Sequence, residues 1–325
     1  MFIIQNDCTD PAFNLAAEEY LLDHFPGNVF MLWRNQRSVI VGKNQNTAGE
    51  VDARFVSANN IPVIRRLTGG GAVFHDLGNI NYTCIEREDG GHFSDYAHFT
   101  ADLIDFLATL GVKAELSGRN DLLVAGKKIC GNAQCVRNGR VMHHGCILYS
   151  ADLSGLARAL RAKKEKFAGK GIQSVSSRVT NIIDHMADRM DAAGFMDAFG
   201  RFVAERHGYA AYPFSADDID RIGRLAKEKY ATWAWNYGHS PDYNFSDSQK
   251  FDFGLVEIYL SISGGMIRSA KIAGDFFGRR DVGGLEEALT GLAHNADAVE
   301  KVLQGYDIGA HISGCSMNEL IELLI

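Results

Sequence analysis

Arg65-Arg66-Leu67-Thr68-Gly69-Gly70-Gly71-Ala72-Val73-Phe74-His75-Asp76 sets three consecutive glycines between two arginines and an apolar, strand-like run. Glycines lack a Cβ, so the backbone can come close to a ligand and leave N–H groups free to point at an anion. A second cluster follows, Gly118-Arg119-Asn120-Asp121 and then Gly126-Lys127-Lys128-Ile129. An arginine beside such a loop supplies a fixed positive charge, and a lysine arriving from another segment neutralises a carboxylate or phosphate from the other side. Together the clusters point to an enzyme site for an anionic ligand. Neither G-x-G-x-x-G nor G-x-x-x-x-G-K-[ST] fits the loop, so taken alone it reads equally well as a turn between two strands.

The elements that must position these residues follow from periodicity. Asp10-Pro11 is an N-cap and first-turn proline, and Leu15, Ala16, Glu19, Tyr20 and Leu22 recur at helical spacing behind it. Residues 29–33 and 38–41 read as short strands and 47–59 as a helix. Val63-Ile64 leads into the glycine loop, with strands over 72–74 and 80–85 after it. Residues 95–110 carry a helical apolar pattern that stops at Gly111. Strands over 122–125, 127–136 and 141–149 then form a meander turning at Asn138-Gly139, with Asp152 as the next N-cap. Lys128 therefore lies on a sheet, where alternation sends it to the face opposite Ile129. From Phe245 the texture changes to a hairpin over 251–263 and 266–276, with helices over 284–303 and 316–325. The reading is two domains, 1–244 and 245–325.

Arg65 to Asp76, Asn79, Gly118 to Gln134, His143-His144-Gly145, and Lys170-Gly171-Ile172 with Ser177-Arg178-Val179-Thr180-Asn181 resemble the lipoate-protein ligases, in the order of that family. The aromatic run Trp233-Ala234-Trp235-Asn236-Tyr237 to Asn244 resembles the family's entry into a C-terminal accessory domain. The resemblance implies an α+β fold: a catalytic domain like class II synthetases and biotin and lipoate ligases, with mixed sheets flanked by helices, plus a small α+β domain. It also implies ATP-dependent activation of lipoate to lipoyl-AMP, then transfer to an acceptor lysine as an amide. The acceptors it implies are lipoyl domains of 2-oxoacid dehydrogenase complexes or the glycine cleavage H protein. By the same pattern Lys128 bridges the acyl carbonyl and the phosphate. Arg66 and the stretch Gly70, Gly71, Ala72, Val73 and Phe74 hold the acyl-adenylate, with His75 and Asn79 beside it. His144 shapes the pocket, and Ser177, Arg178 and Thr180 donate to adenylate or ribose.

Mg²⁺ is expected with ATP chemistry, and Asp121 is its candidate ligand; the same residue reads as a turn aspartate or as the orienter of a cationic partner. His75 and His144 titrate near neutrality when solvated but read better as packed, hydrogen-bonded histidines, and neither is given a catalytic role. Cys130 stands where the family has serine, Cys146 where threonine is common, and Gln173 and Ser176 where basic residues are frequent. These departures leave two other readings: an ATP-independent octanoyl or lipoyl transferase using Cys130 or Cys146, and a non-catalytic lipoyl-AMP binder.

Bulk properties narrow the classes. With 325 residues, 46% hydrophobic and 22% charged, the chain can build two cores. A net charge of −7 argues against nucleic acid. No apolar run reaches the roughly 20 residues of a membrane span, and no secretory signal is visible. The expected setting is cytoplasmic, with the six cysteines reduced. Zinc among Cys130, Cys135, His143, His144 and Cys146 is disfavoured by their spacing. Arg158, Arg161, Lys163, Lys164, Lys166 and Lys170 read as a solvated face rather than an acceptor-docking patch.

Overall fold

A computed structural model describes residues 2–89, 91–118, 120–159, 178–238, 244–294 and 296–325. The centre is an eight-stranded mixed sheet built from β1 (Phe2–Asn6), β2 (Val29–Trp33), β6 (Asn79–Arg87), β7 (Ala114–Ser117), β8 (Asp121–Val124), β9 (Lys127–Arg137), β10 (Arg140–Leu148) and β11 (Ala210–Ala211). Their order is β11-β1-β2-β6-β10-β9-β8-β7. A three-stranded sheet, β4-β3-β5, pairs β3 (Ser38–Val41) with β4 (Val63–Arg65) and β5 (Val73–His75). The third sheet runs β12 (Phe245–Phe251), β13 (Gly254–Ser263) and β14 (Met266–Gly274).

Strand periodicity explains why the large sheet is covered on both sides. Every residue of β2 is buried. Phe30 and Leu32 pack into one core with Phe99, Phe106, Phe195 and Phe199, while Val29, Met31 and Trp33 enter another with Leu15, Leu22 and Tyr230. The helices Tyr96–Thr109 and Ala192–His207 cover the first face, and the helix Pro11–His24 covers the second. The predicted N-cap at Asp10 forms, accepting from Ala12 N at 2.9 Å, and Asp95, not singled out in the sequence, caps its helix by accepting from His98 N at 3.0 Å. Val256, Ile258, Leu260, Leu285 and Leu320 belong to a separate core around β12–β14. No helix among the described residues is long and apolar enough to cross a membrane.

Two expected helices are each broken. The 47–59 helix is two short ones, Thr47–Glu50 and Ala53–Ala58, because Val51 takes an extended conformation and buries its side chain against the small sheet. The 284–303 helix is likewise split into Gly283–Leu289 and Ala296–Leu303. There the chain turns at Gly291, with φ +86°, and Gly291 N bonds to Ile267 O on β14. Local pattern carried across both breaks; the tertiary contacts at Val51 and Gly291 decided them.

Residues 245–325 reach back to the glycine loop. Gly274 N donates to Asn44 O at 2.9 Å. Lys43 pairs with Asp281 at 2.6 Å, and Arg279 with Glu88 at 2.5 Å. A Cβ on Gly69 would sit 2.3 Å from Phe276 O, and one on Gly70 would meet the Phe277 ring at 3.2 Å. A cleft of about 240 Å³ remains at this seam, lined by Lys43, Leu67, Gly69, Cys135, Arg137 and Arg280 among others.

Candidate active site

Lys128 opens β9, and three features fix its place. Its Nζ lies 2.7 Å from Asp121 Oδ1 at the start of β8. Its backbone is bridged by the segment 178–180, with Lys128 N donating to Arg178 O at 2.9 Å and Thr180 N donating to Lys128 O at 3.0 Å. Simple alternation fails just here, because the β8–β9 register shifts between Leu122 and Leu123. The ammonium consequently sits over Gly131, where a Cβ would meet Nζ at 2.7 Å and Cε at 2.8 Å. Both partners of the ion pair are about one-third exposed, so the charge is open to an incoming anion. The structure thus brings Lys128, Asp121, Arg178 and Thr180 together. Arg119, Ser177, Gln173, Ser176 and the basic residues from Arg161 to Lys170 lie outside the described residues.

Arg66 is buried, and its guanidinium is spent on the loop it was expected to flank. It donates to Gly69 O at 2.7 Å, Gly71 O at 2.9 Å, Thr68 Oγ1 at 2.9 Å and Ile40 O at 3.3 Å. Burial lowers its pKa to about 10, opposed by the charge of Glu18, so it stays cationic at neutral pH. Here Arg66 acts as the loop's internal brace. The glycines divide their tasks. Gly69 makes room for the Phe276 carbonyl, Gly70 has φ +91°, and a Cβ on Gly71 would meet nothing within 4 Å. Only Gly71 leaves open space for a ligand.

Arg65 braces the other side of β4. It donates to the carbonyls of Gly42, Lys43, Gln45, Trp235 and Asn236 and to Thr47 Oγ1. Burial lowers its pKa to about 10. Sequence reading gave Arg65 no role of its own.

A buried polar relay runs behind the loop. Thr68 Oγ1 lies 2.7 Å from His144 Nε2, and His144 Nδ1 lies 2.8 Å from Glu18 Oε1. Thr83 Oγ1 donates to Glu18 at 2.7 Å and accepts from Trp33 Nε1 at 2.9 Å. Glu18, at 1% exposure, passed unnoticed in sequence because it sits in an ordinary helical pattern; the signal available was a carboxylate on a helix face otherwise apolar. His143 turns to the opposite face, bonding Gln134 and Tyr82 and stacking on Phe99 at 4.7 Å, so the adjacent histidines share no ligand. Among the described residues, the group able to hold a metal is Glu86, His92 and His98, whose ligand atoms lie within 4.8 Å of one another. It sits at the far end of β6 and was not anticipated.

The other expected residues are more structural. Asn79 closes the turn at Asp76 by accepting from Asp76 N at 3.0 Å, and its Nδ2 points to Cys146 Sγ at 3.5 Å. Phe74 faces the core of the small sheet, Ala72 packs at that core's edge and Val73 packs against the neighbouring one. Burial pushes the His75 pKa down to about 3, with the charges of Arg66 and His144 adding to the effect, so its ring is neutral. Burial pushes the Cys146 thiol up to about 12 and the Cys130 thiol well above its ordinary value. Neither is a thiolate at neutral pH.

A mixed sheet covered on both faces, a braced glycine loop and a cation set over a glycine three residues along the same strand define an α+β fold of the lipoate-ligase kind. Residues 10–204 match the lipoyl protein ligase A/B catalytic domain, and 240–324 match the bacterial lipoate protein ligase C-terminus. The chain belongs to the lipoate-protein ligase family. It is 41% identical to lipoate-protein ligase 1 of Staphylococcus aureus, over 99% of each chain. It superposes on P. falciparum LipL1, solved with lipoate, with a TM-score of 0.79 at 22% identity, covering 99% of this chain and 98% of that one. A lipoate-protein ligase A bound with ATP aligns with a TM-score of 0.63 at 26% identity, over 73% of this chain and 98% of that one.

Proposed function

We propose that the protein activates lipoate with ATP to lipoyl-AMP and then transfers the lipoyl group to a lysine of an acceptor protein. The observation that carries this reading is the placement of Lys128: an ammonium held over Gly131, oriented by Asp121 and hydrogen-bonded through its backbone to 178–180. In the first step a carboxylate oxygen attacks the α-phosphorus, a P–O bond forms, and pyrophosphate leaves. Two anions must be brought into line, and a preorganised cation does this by position and charge. In the second step the acceptor amine attacks the acyl carbonyl, AMP leaves, and the amine loses its proton. Lys128 serves both steps by stabilising charge on the carbonyl and phosphate oxygens. On this reading Gly71 and its neighbours supply backbone donors, and Arg178 and Thr180, bridged to the Lys128 backbone, donate to the adenylate.

The donor set suits Mg²⁺ modestly. Asp121 offers one carboxylate, already paired with Lys128, and Mg²⁺ bound by one carboxylate with phosphate and water oxygens is a common arrangement. Such an ion would neutralise phosphate charge. The acceptors on this reading are lipoyl domains of 2-oxoacid dehydrogenase complexes or the glycine cleavage H protein, in the cytoplasm where ATP is at hand. Residues 1–244 form the catalytic unit and 245–325 the accessory unit, a division supported by the separate core around β12–β14. Octanoate fits the same chain length. A cysteine transferase is disfavoured by the raised thiols, and a mere binder by the poised Lys128.

The test is pyrophosphate release from ATP with lipoate and Mg²⁺, before any acceptor is added. Lipoate-dependent release that Lys128→Ala cuts to a small residual rate, in a variant that still folds, supports the reading. Wild-type rates from Lys128→Ala would remove Lys128 from it.

A further inference from the structure

His75 Nε2 and Asn81 Nδ2 are buried polar atoms with no hydrogen-bond partner among the described residues. Their residues are 3% and 2% exposed, and buried donors are almost always paired. The proton on His75 can be placed from its neighbours. Asn14 Nδ2 donates to Asn35 Oδ1 at 2.9 Å, which leaves the Asn35 amide nitrogen to donate to His75 Nδ1 at 3.1 Å. Nδ1 is therefore an acceptor, and Nε2 carries the hydrogen. Both unpaired atoms are donors.

Sheet register locates them relative to Lys128. Gly131, beneath the Lys128 ammonium, is directly opposite Cys146 on β10; Cys146 is opposite Asn81 on β6; Asn81 is opposite Trp33 on β2. Directly opposed residues share a face, so these four form a row across the sheet. From Gly131 to Asn81 is two strand spacings, about 9.6 Å. An extended eight-carbon acid bearing a five-membered ring spans about 9 Å from its carboxyl carbon to the ring sulfurs. A carboxylate at Lys128 would on this spacing put such a ring within reach of Asn81 and Trp33. The His75 ring meets the Trp33 indole edge-on, with centroids 6.2 Å apart.

We propose, resting on the lipoate-ligase reading, that Asn81 Nδ2 and His75 Nε2 donate to the dithiolane sulfurs and thereby set selectivity for lipoate over unsubstituted acyl chains. Divalent sulfur is a weak acceptor, so the gain from each contact is small. The selectivity comes mainly from the alternative. A methylene or methyl group in the same place leaves two donors unpaired, or traps a water against hydrocarbon.

The experiment measures acyl-dependent pyrophosphate release with lipoate, octanoate and 5-cyclopentylpentanoate, the last having the ring's shape without its sulfurs. Wild-type protein should favour lipoate over the carbocycle by about tenfold in kcat/KM. In Asn81→Leu and His75→Phe that ratio should fall about three- to tenfold, driven by the lipoate term. Each ratio is read within one preparation, so a folding defect lowers all three substrates alike and leaves the ratio at its wild-type value. A ratio within twofold of wild type in both variants overturns the proposal. Wild-type protein without lipoate-dependent release overturns the underlying reading instead, whereas lipoate-dependent release with an unmoved ratio overturns this proposal alone.

Discussion

Gly131→Ala should inactivate the enzyme without unfolding it. The new Cβ would sit 2.7 Å from Lys128 Nζ and 2.8 Å from its Cε, with Asp121 Oδ1 at 4.0 Å and no other heavy atom so near. The obstacle is the mobile end of a side chain, so the backbone of β9 can stay where it is. Alanine in a strand also costs the unfolded chain less entropy than glycine, and stability should remain within about 1 kcal/mol of wild type. The ammonium, however, must retreat from 2.7 Å to at least the 3.4 Å of ordinary contact, a shift of about 0.7 Å. Displacements of about 1 Å in a positioning group cost on the order of a hundredfold in rate. Lipoate-dependent pyrophosphate release should thus fall about a hundredfold while the denaturant midpoint holds.

A double-mutant cycle separates this mechanism from a general disturbance of the site. If Gly131→Ala acts only through Lys128, the double variant Gly131→Ala/Lys128→Ala releases pyrophosphate no more slowly than Lys128→Ala alone. Additive losses would mean that Gly131 acts on the ligand directly. A folded Gly131→Ala protein within threefold of wild type would refute the claim that the position of Lys128 limits adenylation.

Other outcomes follow from the buried groups. His75 is held to a pKa of about 3 and His143 well below its ordinary value, so between about pH 3 and 6.5 the unfolded chain binds protons that the folded chain refuses. Stability is complete above pH 6.5 and falls below it, by about 1.4 kcal/mol per histidine at pH 5.5. Urea midpoints at pH 7.5 and 5.5 should show the loss, and His143→Gln should roughly halve it; an undiminished loss would absolve His143. Arg65→Met removes a charged donor from five carbonyls and a hydroxyl, of which Asn236 O keeps Thr47 and Gly42 O keeps Gln45 N, and should cost about 3 kcal/mol by denaturant titration, whereas under 1 kcal/mol would show the remaining acceptors finding water. Cys146, pushed up to about 12, is about one part in ten thousand thiolate at pH 8, so iodoacetamide should modify it far more slowly than a free thiol; rapid labelling would reopen the transferase reading.

What could be read in the sequence was whatever depends on near neighbours. The helices Pro11–His24 and Tyr96–Thr109 carry their caps and stops in adjacent residues, and the β8–β10 meander carries its turn in Asn138-Gly139, both with positive φ. Lys128 stood out for the same reason, lying between two recognisable clusters. The glycine loop was only half legible. Its sequence says that the backbone needs room but not for what, and Gly69 and Gly70 yield theirs to Phe276 and Phe277 from the far end of the chain.

Long-range polar pairing was least visible. Glu18, Thr83 and His144 converge from a helix and two strands, and nothing in any one segment marks a carboxylate that will be 1% exposed. Asn81 shows the limit most clearly. In sequence it is one polar residue in Asn79-Ile80-Asn81-Tyr82-Thr83, an alternation that reads as a solvent-facing strand edge. In the fold both faces of β6 are covered, and the same alternation aims Asn79, Asn81 and Thr83 into the protein. Asn79 and Thr83 find partners there and Asn81 Nδ2 does not. A polar alternation on a strand covered on both faces is therefore a sign of a lined interior, and its unpaired member, Asn81, is the one proposed above to face the ligand.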